Sequence, residues 1–273
     1  MSFQILCATM NQCDFKKLVE MNIRSNVVFA NQSNTNRVDE TKFDNIHTAK
    51  MITTDTKGVG INRNICLMHA NEEICLLADD DITYYDDIED IILSEFNLYP
   101  DADVIIFGLN ADNDEYAERS YEKTIRYRKY MKKPWGACRI AFRLKSVRKA
   151  NVWFTSLFGG GTIYSCGEDS MWLNDVIKKG LKIWVSNKCI GDLRTGESTW
   201  YTGKNEYYYY GKGAYYKACY PKIYVIWMFY FALRTHGMTD LRFFERIEWM
   251  KNGVDGYKEL IGYEEFRLRR QDE

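Results

Sequence analysis

Short apolar runs and helix-spaced apolar stripes alternate along the first 110 or so residues. Phe3-Gln4-Ile5-Leu6-Cys7-Ala8 reads as a buried strand, and Phe15 to Met21 follows with helical spacing. Asn26 to Ala30 reads as a second strand, closed by polar Asn31-Gln32-Ser33-Asn34, and Ala49-Lys50-Met51-Ile52 as a shorter third. From Gly58 to Ala70 the apolar positions Val59, Ile61, Ile65, Leu67 and Met68 fall as on a helix. Glu73 to Ala78 is again strand-like, Asp86 to Phe96 is a helical stripe with Asp86 as N-cap, and Val104 to Phe107 is another strand. Strands alternating with helices predict an α/β architecture, a mixed, mostly parallel sheet with helices on both faces. Ligands of such sheets bind beyond the carboxyl ends of the strands, where strand order reverses. Three predicted strand ends carry polar clusters there: Asn31-Gln32, Asp79-Asp80-Asp81 and Gly108-Leu109-Asn110.

Later segments differ in character. Glu115 to Lys133 interleaves Tyr and Arg, but Glu115, Glu118 and Glu122 favour a solvated strand or edge over a nucleic-acid surface. From Glu206 the chain turns Tyr-rich and helical. This divides it into a first domain over 1–205 and a helical C-terminal extension over 206–273. The longest apolar run, Ile223 to Leu233, falls short of the roughly 20 residues that a bilayer span needs. With Lys222 and Arg234 at its ends it suits an interfacial helix, giving peripheral membrane contact, but a buried helix is the preferred reading.

Composition narrows the partners. Among 273 residues, 37 Lys and Arg stand against 38 Asp and Glu, so no global basic field attracts nucleic acid and none is expected as a partner. Eight scattered cysteines without a CxxC pair suit free thiols in a reducing compartment. Met1 to Leu6 lacks the basic and apolar regions of a signal peptide, which makes the cytoplasm the default location.

The stretch Ile74 to Ala78 followed by Asp79-Asp80-Asp81 carries the most chemistry. Adjacent carboxylates repel unless a cation neutralises them. A hard divalent ion takes one or two carboxylates and leaves positions for phosphate oxygens and water. Alternation along an extended chain puts Asp79 and Asp81 on one side and turns Asp80 elsewhere, towards a ribose hydroxyl or a backbone amide. A second cluster, Gly167-Glu168-Asp169, precedes a helix over Ser170 to Lys179. Its carboxylates suit either an N-terminal cap or a general base. The run Phe158-Gly159-Gly160-Gly161-Thr162 suits close approach to a ligand, a mobile lid or a plain loop.

In order along the chain, these pieces resemble family 2 glycosyltransferases of the bacterial type. The resemblance rests on Lys57-Gly58-Val59-Gly60-Ile61-Asn62-Arg63-Asn64, the acidic run after Ile74, Phe158 to Gly161, Gly167-Glu168-Asp169-Ser170 with Trp172, and Ser198-Thr199-Trp200. It implies the glycosyltransferase-A fold, a nucleotide-diphosphate-sugar donor, a manganese or magnesium ion, and inversion by single displacement. Asp79 and Asp81 would then hold the metal. Asn31, Gln32, Arg63, Asp79 and Asp80 would bind the nucleotide sugar. Asp169 would be the general base beside Glu168, and Gly160, Gly161 and Trp200 would lie on the acceptor side. A glycan or lipid-linked acceptor follows, at the inner face of the cell membrane. Two departures stand out: Asn31-Gln32 replaces the usual acidic residue, and no His follows the strand Leu181 to Val185, where either Asp192 substitutes as ligand or the metal keeps an extra water.

Two alternatives remain. Asp79-Asp80-Asp81-Ile82-Thr83 matches the nucleophile loop of haloacid-dehalogenase-like phosphatases, although that family carries it on the first strand. A catalytically silent sugar-nucleotide or glycan-binding protein is the other.

Overall fold

The structure, a computed structural model, describes residues 1–111, 122–128, 136–193 and 203–271. They form two compact units. The first comprises Met1–Lys57, Ile61–Phe154 and Trp172–Gly196; the second comprises Gly58–Gly60, Thr155–Met171 and Glu197–Glu273.

The first unit is built on one sheet of strands β1 (Phe3–Met10), β2 (Asn26–Gln32), β3 (Arg37–Phe43), β4 (His47–Thr54), β5 (Ile74–Asp79), β6 (Ile82–Tyr84), β7 (Val104–Ala111), β8 (Ile125–Arg126), β9 (Ile140–Arg143) and β10 (Ile183–Leu193). Their order is β3-β4-β2-β1-β5-β9-β7-β10-β6, with β8 paired to β10. The run β4-β2-β1-β5 is parallel, whereas β9 lies antiparallel between β5 and β7. β1 and β5 are apolar and buried along most of their length because both faces of the sheet are covered. Alternate residues enter opposite layers. Leu6, Val28 and Leu77 pack with Cys66 of α2 (Val59–His69), Val147 of α4 (Leu144–Ala150) and Val176 of α5 (Glu168–Lys178). Ile5, Phe29 and Leu76 pack with Ile92 and Phe96 of α3 (Ile88–Leu98).

Three local expectations need correction, and one strand, β3, was not expected. The helix expected over Phe15 to Met21 is a single turn, α1 (Lys17–Glu20). The polar, mostly exposed β3 has no apolar signature; it pairs with β4 through a turn at Asp44 and Asn45, both left-handed at φ 45° and 68°. Asp86 does not cap α3, since its carboxylate accepts from Asn22 and pairs with Arg24. The strand expected to end at Val185 runs on to Leu193 as β10, with register shifts after Val185 and Cys189. It survives its polar stretch because Ser186 Oγ donates to the buried Glu95 Oε2 at 2.8 Å.

The second unit contains α6 (Glu206–Cys219), α7 (Tyr224–Arg234), α8 (Phe243–Glu259) and α9 (Tyr263–Gln271). Asn205 caps α6 by accepting from Tyr208 N at 3.1 Å. A β-carbon on Gly213 of α6 would lie 1.8 Å from Met250 O, and one on Gly253 of α8 would lie 1.9 Å from Tyr210 O. The two helices therefore meet main chain to main chain, which only glycine permits. Tyr164, Tyr209, Tyr210 and Met250 fill the core of this unit. No helix among the described residues is long and apolar enough to cross a membrane.

Candidate functional site

The parallel strands end together in register. Thr9 of β1 stands opposite Asn31 of β2, Asn31 opposite Thr53 of β4, and Ala8 opposite Asp79 of β5. A polar row of Thr53, Asn31, Thr9 and Asp79 thus lines the carboxyl edge of the sheet. The chain leaves β1 for β2 on one side and, after β4 and α2, returns as β5 on the other side of β1, so Thr9 and Asp79 flank the point where strand order reverses. Each strand stops here because an apolar run gives way to a residue that needs a polar partner.

Those partners are specific. Asn31 is fully buried; its Oδ1 accepts from Gln12 N at 2.9 Å, and its Nδ2 donates to Gln12 O at 2.9 Å and to Thr53 Oγ1 at 3.1 Å. The amide therefore clamps the loop after β1. Gln32, next along β2, is half-buried. Asp79 closes β5, and Asp80 and Asp81 form the turn to β6. Asp79 Oδ1 accepts from Arg63 Nη2 at 2.8 Å. Asp80 turns back to β1, where its Oδ2 accepts from Thr9 Oγ1 at 2.5 Å, while its carbonyl accepts from Lys17 Nζ at 3.2 Å. Asp81 is exposed. Crowding of the three carboxylates is thus relieved in part by the chain's own Arg63, paired with Asp79.

Helix α2 supplies the second layer. Arg63 is buried and its guanidinium lies 5.5 Å from the Phe154 ring centroid. Asn62 Nδ2 donates to Thr9 O at 3.2 Å. Asn64 clamps Phe154 both ways, Nδ2 to Phe154 O at 2.9 Å and Phe154 N to Asn64 Oδ1 at 2.8 Å. Phe154 in turn stacks on Trp172 at 5.3 Å. The consecutive Asn62, Arg63 and Asn64 therefore address β1, β5 and the segment before residue 155, a division of labour that fixes Arg63 against Asp79.

Towards the other edge, Asp192 of β10 accepts from Tyr85 Oη at 3.1 Å and from Asn110 Nδ2 at 3.2 Å. Asp192 lies within β10, not beyond it, and Tyr85 and Asn110 hold its carboxylate. Among the described residues no three His, Cys, Asp or Glu side chains gather as a ready-made metal cage. Of the two carboxylates expected to hold a cation, Asp79 has its Oδ1 engaged by Arg63, and Asp81 is exposed. Two such oxygen donors are what a magnesium- or manganese-like ion takes when water and phosphate complete its shell.

Within the second unit, the glycine run is a packed turn. Gly159 has φ 108°, and a β-carbon there would lie 2.8 Å from Val59 Cγ1 and 2.9 Å from the Glu168 carboxylate. Gly160 O accepts from Val59 N at 3.0 Å, and Gly161 is left-handed at φ 78°. Thr162 Oγ1 lies within hydrogen-bond reach of the Leu157, Gly159 and Tyr164 carbonyls, 2.8–3.1 Å away. Glu168 and Asp169 open α5, where the helix dipole favours negative charge. Asp169 Oδ1 accepts from Ser170 N at 2.6 Å and from Ser170 Oγ at 3.2 Å. Trp200, the rest of Ser198-Thr199-Trp200, and most of the segment from Glu115 to Lys133 lie outside the described residues.

Sequence reasoning missed Thr9, Lys17 and Thr53. Thr9 and Thr53 carried a readable signal, the polar break at the end of an apolar strand; Lys17 carried none. The acidic run follows the fifth strand, which removes the ground for the phosphatase reading. A hollow of about 590 Å³ lined by Asn71, Glu73, Lys145 and Arg148 lies at the amino end of β5, away from the acidic run, and does not mark the site.

A mostly parallel sheet with β9 reversed between β5 and β7, the acidic run at the point where strand order reverses, and helices at the C-terminus define a glycosyltransferase-A fold. Solved structures of TarS from S. aureus share it. TarS 1-349 in complex with UDP-GlcNAc is 15% identical, with a TM-score of 0.60 over 97% of this chain and 77% of that one. TarS 1-349 alone is 12% identical, with a TM-score of 0.56 over 96% and 93%. A longer TarS chain is 14% identical, with a TM-score of 0.55, and this chain spans 43% of its length. No protein-family model and no curated protein matches the sequence.

Proposed function

We propose that the chain transfers a sugar from a nucleotide-diphosphate donor to a hydroxyl of a glycan or lipid-linked acceptor, with inversion and with a divalent cation. The observation that supports this most is the polar row Thr53, Asn31, Thr9 and Asp79 at the carboxyl edge of a glycosyltransferase-A sheet. Asp79 and Asp81 are the residues assigned to hold the cation, which, when bound, stabilises negative charge on the departing diphosphate. Arg63 orients Asp79 and keeps its Oδ1 engaged, while Asp80, tied to Thr9, keeps the β5–β6 turn against β1. Asn31 positions the Gln12 loop, and Gln32 is assigned a nucleoside contact. Asp169 takes the proton of the acceptor hydroxyl as its oxygen bonds to the anomeric carbon; the bond to the diphosphate breaks on the opposite face. Glu168 orients that base, and Gly160, Gly161 and Trp200 are assigned to the acceptor.

The test is a panel of nucleotide-diphosphate sugars scanned by thermal shift with manganese, followed by donor hydrolysis. One donor should raise the melting temperature and be hydrolysed slowly in the presence of metal. Binding without hydrolysis or transfer would point to a silent sugar-nucleotide-binding protein. Absence of both would overturn the reading.

A further inference from the structure

The longest apolar run of the sequence folds as α7, and only half of it packs on protein. On one side Met228 and Ala232 are buried, and Trp227 stacks on Tyr220 of the α6–α7 connection while Phe231 meets Tyr216 of α6. The other side carries Ile226, Phe229, Tyr230 and Leu233, three or four residues apart and so on one stripe. Ile226 is 66% exposed and Leu233 65%. Phe229 meets Phe243 at 6.1 Å, and the adjacent Phe244 of α8 is 80% exposed, which continues the patch onto a second helix. The buried-helix reading therefore holds for one side alone. A helix apolar all round is normally enclosed, and a contiguous exposed apolar patch marks a surface that meets something.

Charge identifies the occupant. From Tyr220 to Thr239 there is no Asp or Glu, while Lys222 and Arg234 stand at the two ends of the helix. A second copy docked through this face across a two-fold axis would set cation against cation, with no carboxylate from the stretch to neutralise them. Anionic headgroups complement both ends. Tyr230, exposed on this stripe, supplies an amphipathic ring of the kind favoured at an apolar–polar boundary, and Lys217 Nζ sits 4.4 Å over the Tyr224 ring. With 11 residues the helix is about 16 Å long, too short to span a bilayer and suited to lying in its surface. We propose that α7, extended by Phe244, docks flat on an anionic lipid membrane. The inference is independent of the proposed transfer reaction.

The test is cosedimentation of the full chain with phosphatidylcholine vesicles carrying about 30% phosphatidylglycerol, against phosphatidylcholine alone. Binding to the anionic vesicles is expected, weakening as salt rises. Ile226→Glu with Leu233→Glu should abolish it while circular dichroism and melting temperature stay put; Ile226→Ser with Leu233→Ser should weaken it as a milder control. Lys222→Gln with Arg234→Gln should weaken it about ten-fold or more. No vesicle binding, equal binding to both vesicle types, or binding indifferent to the paired Ile226 and Leu233 changes would overturn the proposal. A dimer in solution that these changes dissociate, without vesicle binding, would assign the face to a second copy instead.

Discussion

Arg63→Met removes the guanidinium beside Asp79 while keeping most of the side-chain volume. The Arg63 side chain is 5% exposed and that of Asp79 is 35%, with Nη2 and Oδ1 2.8 Å apart. Breaking one partner out of a fully buried pair costs about 3–5 kcal/mol, whereas an exposed pair contributes about 0–1 kcal/mol. One buried and one partly exposed partner place this pair between those limits, at about 2 kcal/mol. Loss of the cation 5.5 Å from the Phe154 ring adds about 0.5–1 kcal/mol. At roughly 2–4 °C per kcal/mol for a chain of this size, the melting temperature should fall by about 5–10 °C. Differential scanning calorimetry on Arg63→Met, Asp79→Asn and the double variant isolates the pair. The cycle should give a coupling of about 1–2 kcal/mol, and additivity within about 0.3 kcal/mol would refute the pairing. Manganese should also restore more of the lost stability in Arg63→Met than it adds to the parent chain, because the carboxylates are then more crowded.

Two further outcomes follow from packing and burial. Gly253→Ala puts a β-carbon 1.9 Å from Tyr210 O, so α6 and α8 must separate; a loss of roughly 3 kcal/mol or more is expected in chemical denaturation, and a change below about 1 kcal/mol would contradict the close approach. Burial lifts the Cys66 thiol from 9.0 to about 12 and the Tyr164 hydroxyl from 10.0 to about 12. Folding therefore favours their protonated forms, so this stability is intact below pH 9 and is lost as pH rises from 9 towards 12. A melting temperature that stays level across that window would contradict it.

The sheet was legible where burial on both faces forced continuous apolar runs, as in Ile5 to Ala8 and Ile74 to Ala78. It was not legible where a strand lay at an edge. Arg37 to Phe43 is polar and pairs on one side only, so its signal resided in the Asp44-Asn45 turn. β10 was cut short because Ser186 and Asn187 look like loop residues until Glu95 and Thr124 supply their hydrogen bonds. At the site, residue types and order pointed to the carboxyl edge, but the partner of each side chain is a tertiary fact. Nothing in Asn31 or Asp80 alone says that one clamps Gln12 and the other meets Thr9. The Tyr-rich tail showed its helices but hid the glycine contact of α6 with α8, because Gly213 and Gly253 are 40 residues apart.

Titrating a nucleotide-diphosphate sugar that passes the panel into the parent chain, Asp81→Asn and Asp169→Asn, each with and without manganese, separates donor holding from proton removal. Manganese should tighten binding to the parent chain and to Asp169→Asn but not to Asp81→Asn, and only the parent should transfer sugar. Tight binding to Asp81→Asn with the same manganese dependence as the parent would contradict a cation held at the end of β5.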